Sequence, residues 1–256
     1  PWLKGSGTPE DPYMIKNVVI DANGLFFCML IMNSEAYFKI MDCTFSNTGP
    51  YGSPDGTGKN AAIILVNTQN GVIFKNEIFE CGFPGTGLGG GIALVASSNN
   101  KVQKNFCHDN ELSGIYVQSS YDNVIRQNLC TGNTYGIFLM DWSNNNEITK
   151  NECYDNDDYG ILLISGSNGN LLTENKCKRN LDGGITISEA HGNVLIENQC
   201  NANALGGIIL ANANDNLITN NDCSENFGSG IYVISGYGNT IIDNECNDNL
   251  GPGIYL

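Results

Sequence analysis

Seven cysteines, Cys107, Cys130, Cys153, Cys177, Cys200, Cys223 and Cys246, stand 23 or 24 residues apart through the second two-thirds of the chain. The residues around them repeat as well. Each block opens on an asparagine (Asn100 to Asn239), has an asparagine two residues before its cysteine (Asn105 to Asn244) and another three residues after it (Asn110 to Asn249). A Gly-Ile pair then starts a second segment, as at Gly91-Ile92, Gly114-Ile115, Gly184-Ile185 and Gly253-Ile254. A fixed period of this length means a stacked repeat architecture, and it constrains the fold before any other consideration.

The apolar residues within a block alternate, as in Ile115 and Val117 or Ile185 and Ile187, where a helix would space them by three and four. The segments therefore read as strands too short to stand alone, with Asn and Gly at the corners because both tolerate a left-handed backbone. One block becomes one coil of an all-β, right-handed, single-stranded parallel β-helix with coils of about 23 residues, each strand bonded to its counterpart ~4.8 Å away. Every repeat position is then a ladder. Val102, Ile125, Ile148 and their successors point inward, as do the Gly-Ile isoleucines and the cysteines, and stacked asparagines bond amide to amide.

The pattern loosens toward the N-terminus, where Phe45 and Ile78 take the cysteine position. Residues 1–90 read as longer coils with Gly/Pro-rich loops at 48–60 and 81–90, and residues 91–256 as regular coils. No linker divides them, so a single domain over 1–256 is expected.

With 27 acidic against 12 basic residues and no basic cluster, nucleic acid is not an expected partner. The longest apolar run, Leu25 to Met32, is too short to span a bilayer, so no membrane insertion is expected. A straight row of thiols flanked by isoleucine neither suits disulfide geometry nor converges on a metal, so the cysteine column reads as small apolar side chains, with no metal site and no cofactor. Cys28, Cys43 and Cys81 stand off the column, and a disulfide among them stays open.

The repeat resembles that of the right-handed parallel β-helix families described as NosD-like or as carbohydrate-binding and sugar-hydrolase repeats. The opening stretch Gly5 to Ile15 resembles that of archaeal cell-surface proteins carrying such repeats. The resemblance implies an extracellular or cell-surface location; it is specific for fold and uninformative about activity. Polysaccharide hydrolases of this fold pair carboxylates with a nearby His-Gly. Asp157-Asp158 and His191-Gly192 occur here, but ladder arithmetic assigns them to different corners. Lyases of this fold use a calcium-binding acidic cluster with a basic proton acceptor, and Asp155 to Asp158 has Lys178 and Arg179 one coil away; a cross-coil ion pair on a solvated turn is the favoured reading and a lyase-type site the alternative. No catalytic residue is assigned.

The outward face of the Gly-Ile strands is more informative. The residue after each isoleucine, and the one two further on, form an apolar strip that includes Tyr116, Phe138, Met140, Leu162, Ile164, Ile209, Tyr232, Ile234 and Tyr255. Outward faces of sheets are ordinarily polar, and a strip this long exceeds what a monomer exposes. A loop of the same chain could cover it, its tyrosines could stack on polysaccharide, or it could pack on another protein chain. Its aliphatic residues favour the last. The chain closes on the strand-like Ile254-Tyr255-Leu256 with no polar cap, so the expectation is either that the natural protein continues beyond Leu256 or that this end stacks head-to-tail on another copy. The expectation is a non-catalytic extracellular or cell-surface solenoid for assembly or adhesion, associating with itself or another surface protein. A polysaccharide-binding or polysaccharide-degrading protein is the alternative.

Overall fold

A computed structural model describes residues 4–49, 60–82 and 89–256. Their regular structure is strand throughout, wound as a parallel β-solenoid of about ten turns. Three sheets run along it. The first has ten strands, from Tyr13–Lys16 to Thr240–Ile242; the second has seven, from Val19–Asp21 to Lys176–Lys178; the third has ten, from Met29–Ser34 to Ile254–Tyr255. Within each sheet the strands pair in parallel with their counterparts one coil away. Beyond Lys178 the second sheet thins to single bridges, Lys176 to Gln199, Gln199 to Asp222 and Asp222 to Glu245.

The expected inward ladders form the core. Val102 pairs with Ile125 and Ile125 with Ile148, Ile115 pairs with Ile137, and Cys107 pairs with Cys130, all fully buried. Phe45 and Ile78 continue the cysteine column toward the N-terminus. All ten cysteines are free thiols. Cys43 and Cys81, which the repeat pattern leaves unplaced, occupy asparagine columns: their backbone N–H groups donate to Asn76 Oδ1 and Asn110 Oδ1, as an asparagine in those columns does.

The asparagines form three amide ladders. In the column that includes Asn151, the Asn128 N–H and Nδ2 both donate to Asn151 Oδ1 at 3.0 Å, and Asn151 Nδ2 donates to Asn175 Oδ1 at 3.0 Å and to the Ile125 carbonyl at 2.9 Å. Each buried amide thus meets its own hydrogen-bonding needs and those of the backbone beside it. The ladder asparagines are not themselves left-handed. The left-handed residue is the one before them, as at Lys104, Gln127, Lys150 and Glu174 with φ between 53° and 56°, and at some corners, such as Asn99, Asn145 and Asn220, that residue is itself an asparagine. Asparagine is there for its amide, and the ladder bonds offset the roughly 1–2 kcal/mol cost of the preceding left-handed residue.

The N-terminal coils are longer, as the separation of the paired Phe45 and Ile78 shows against that of Cys107 and Cys130. Of the loops expected at 48–60 and 81–90, residues 50–59 and 83–88 lie outside the described residues. No helix among the described residues is long and apolar enough to cross a membrane.

Candidate functional site

The strip on the third sheet is in the expected register, with Tyr116 pairing with Phe138, Phe138 with Leu162, Thr186 with Ile209, and Tyr232 with Tyr255. It is not, however, an open apolar surface. Tyr116, Phe138, Leu162 and Ile209 are buried within the chain, Met140, Ile164 and Tyr232 are half-buried, and only Ile234 and Tyr255 are exposed, by 42% and 50%. The physical reason is a second apolar cluster on the outer face of the sheet. Ala61, Ile64, Ala93, Tyr116, Phe138 and Leu162 form its centre, and Phe27, Leu30, Tyr135 and Tyr159 pack against them. The Tyr116 hydroxyl donates to Met140 Sδ at 3.0 Å and closes the gap between the two outward columns.

Tyr135 and Tyr159 carry the most chemistry on this face. They occupy the position just before the Gly-Ile pair, where other coils have Ser113, Gly183, Gly206 and Ser229. Register brings them one above the other, with Gly136 N–H bonded to the Tyr159 carbonyl, and their rings stack at 6.1 Å and 13°. Tyr135 also leans on Phe138 at 5.0 Å. The preceding column holds the carboxylates: Asp182 N–H donates to the Asp158 carbonyl at 2.8 Å, so the two aspartates lie on adjacent coils.

Each phenol is matched to a carboxylate, Tyr135 to Asp158 and Tyr159 to Asp182. Burial first, and then the neighbouring aspartate through its charge and its hydrogen bond, push both phenols above their ordinary range. Burial and then the Asp182 charge push the Asp158 carboxyl up, while its bond from Tyr135 opposes the shift. All four side chains are half-buried and open to solvent on one side. The result is a one-coil repeat of an aromatic face with a hydrogen-bond acceptor at its edge. Such an array can seat ring-shaped polyols, because the rings offer flat apolar contact and the carboxylates accept from hydroxyls.

The pattern of repeats did not single out these tyrosines. The readable signal was two bulky aromatics at a position that is otherwise small.

The other candidates separate. Asp158 lies at the entrance to the third sheet, whereas His191 lies on the turn leaving it, in a ladder where its main-chain N–H donates to Asn168 Oδ1 and its Nδ1 accepts from the Asn214 N–H. They share no site, as the ladder arithmetic expects. Arg179 makes a bidentate pair with Asp155, both bonds at 2.8 Å, on an exposed turn. His108 is stacked between Phe79 and Phe106 on the second sheet, with Nδ1 2.7 Å from Asp109.

Comparison with known proteins comes to the same architecture. The family described as periplasmic copper-binding protein (NosD) matches residues 87–226 and 166–256, which together exceed half of the chain. No curated protein matches by sequence. Among solved structures, the A-modules of the Azotobacter vinelandii mannuronan C-5 epimerases AlgE4 and AlgE6 superpose with TM-scores of 0.60 and 0.67. Their identities are 18% and 16%, with 98% and 93% of this chain and 85% and 78% of theirs covered. Pectate lyase Pel9A superposes with a TM-score of 0.58 at 13% identity, covering 91% of this chain and 70% of its own. At these identities the likeness is one of fold.

Proposed function

The chain belongs to the NosD family, and from that premise we propose that it is an extracytoplasmic β-helix, periplasmic or at the cell surface, that binds an uncharged polysaccharide along its third sheet. The observation that carries this reading is the stacked Tyr135–Tyr159 pair with Asp158 and Asp182 at its edge, on two adjacent coils. One strand spacing of ~4.8 Å is about the length of one pyranose along a glycan chain, so two neighbouring sugars meet the two equivalent tyrosines. The structural neighbours' names include polysaccharide epimerases and a pectate lyase, which agrees with the substrate class in general.

Charge narrows the ligand. A chain with 27 acidic and 12 basic residues, presenting paired carboxylates at this face, repels polyuronates and favours neutral glycans. Copper does not carry over from the family's description. The residues present do not fit a copper centre: the thiols of the column run in a buried row, the two histidines lie on different faces, and no group of three or more metal ligands occurs among the described residues. The strip enters this proposal through Met140 and Ile164, half-buried beside the tyrosines. Assembly with another copy or another surface protein ranks second, because burial of four strip residues leaves mainly Tyr232, Ile234 and Tyr255 to make it.

Calorimetric titration with cellohexaose, mannohexaose, laminarihexaose and hexagalacturonate tests the reading. Binding of at least one neutral hexaose, lost in Tyr159→Ala, is expected. Binding of hexagalacturonate alone, or neutral binding indifferent to Tyr159, would refute it.

A further inference from the structure

Tyr135 and Tyr159 stand where the chain enters the third sheet. At the opposite margin, where the chain leaves it, a cavity of about 170 Å³ opens among the early coils. Two outward columns shape it. Because Met32 pairs with Val66, Val66 with Val95 and Val95 with Gln118, the residues that follow them form one column, Asn33, Asn67, Ala96 and Ser119. Two residues further on, the second column reads Glu35, Gln69, Ser98 and Tyr121. In the coil of Ala96 both columns carry a small residue, and the cavity occupies the space this leaves.

Tyr121, 53% exposed, forms one wall from the next coil. Its N–H donates to Ser98 Oγ at 3.1 Å and its carbonyl accepts from the Asn99 N–H at 3.3 Å, which fixes the backbone of the wall to the floor. On the other side Asn67 Nδ2 donates to Asn33 Oδ1 at 2.8 Å and orients both amides. The side chains of Glu35, Gln69 and Asn99 also line the cavity and make no hydrogen bond among the described residues. The lining therefore offers one aromatic surface, several amides that both donate and accept, and one carboxylate that accepts. It includes neither lysine nor arginine, so a uronate or phosphate meets only Glu35 and is repelled. Its apolar part is confined to the tyrosine and Ala96, too little for an apolar ligand. Pockets for drug-sized ligands run to roughly 300–1,000 Å³, so this one admits a single ring and not a chain.

We propose that this cavity is a second carbohydrate site, separate from the Tyr135–Tyr159 face, that takes one uncharged pyranose. Tyr121 covers the sugar's carbon face, and Gln69, Asn99 and Glu35 bond its hydroxyls. The site does not depend on the polysaccharide reading of the opposite margin and is tested apart from it.

Saturation-transfer NMR on the full chain, with the methyl glycosides of glucose, galactose, mannose and N-acetylglucosamine and with glucuronate, provides the test. At least one neutral glycoside is expected to bind in the millimolar range usual for so small a ligand, and glucuronate is expected to be silent. Tyr121→Ala removes an exposed side chain and is expected to abolish the signal. Ala96→Asn carries the Asn33–Asn67 amide ladder one coil further, across the space the sugar occupies, and is expected to abolish it too. Ala96 has φ 47°, a conformation asparagine tolerates better than alanine, so this variant should melt no lower than the native chain while losing the sugar. Tyr159→Ala is expected to leave the signal intact. Silence of all four neutral glycosides, a signal from glucuronate alone, persistence in either Tyr121→Ala or Ala96→Asn, or loss in Tyr159→Ala overturns the site. Hexaose binding that requires Tyr159 and not Tyr121 would leave the polysaccharide reading standing after such a result.

Discussion

Replacing Asn151 by alanine isolates what an amide ladder contributes. In the native chain Asn151 Oδ1 accepts from the Asn128 N–H and Nδ2, and its own Nδ2 donates to Asn175 Oδ1 and the Ile125 carbonyl. After Asn151→Ala the Asn128 Nδ2 keeps its bond to the Val102 carbonyl, and Asn175 Oδ1 keeps the one from the Asn151 N–H. The Asn128 N–H is left with nothing, in a fully buried corner that water does not reach. One orphaned N–H at about 2 kcal/mol, with three further lost bonds at about 1 kcal/mol each, gives a loss of roughly 5 kcal/mol. At the half-exposed end of the same column, Asn244→Ala removes comparable bonds, but solvent replaces them, and about 1 kcal/mol is expected. Because solenoids unfold by neighbouring repeats, urea unfolding should be read together with hydrogen exchange of the coils containing Asn128 and Asn151. Equal losses for the two variants, or a loss below about 1 kcal/mol for Asn151→Ala, would refute the ladder argument.

Two further predictions concern titratable groups. Burial and the Asp182 charge raise the Asp158 carboxyl in the folded state, so the folded chain holds its proton more tightly than the unfolded one. The resulting cost is absent at low pH and grows as pH rises through the raised value. Asp158→Asn should therefore raise the melting temperature at pH 7 and weaken glycan binding, with the thermal gain vanishing as the pH falls through the carboxylate range; a variant that melts lower at pH 7 contradicts this. For the thiols, burial pushes Cys28 up to about 12 and Cys81 up to about 11, so both are poor nucleophiles at neutral pH. A disulfide-exchange reagent at pH 8 should find no rapidly reacting thiol in the native chain and ten after denaturation, and a count below ten would reveal a disulfide.

The fold was legible because period, alternation and asparagine spacing all describe the same coil, so Val102, Ile115 and Cys107 could be assigned to ladders from spacing alone. Burial of the outward strip was not legible. It depends on how Phe27, Leu30, Tyr135 and Tyr159 pack against the outward column, and a one-dimensional pattern does not record which side chain covers which. The site was hidden for a related reason. A repeat analysis weights what recurs, whereas Tyr135 and Tyr159 matter because they depart from the small residues of their column. Cys43 and Cys81 illustrate the same limit from the other side, since they occupy asparagine positions that residue type alone does not reveal.

The amide ladders also act as a ruler. Each asparagine donates to the next coil and accepts from the previous one through the same atoms, so the two faces of every coil are complementary and a coil could be removed or duplicated without creating a new kind of junction. Irregular turns do not disturb this: Ile115 pairs with Ile137 and Ile137 with Ile161 across coils of different length while the asparagine columns stay bonded. The length of the solenoid, and with it the length of the third sheet, can therefore change by whole coils while the outward residues of that sheet are varied independently.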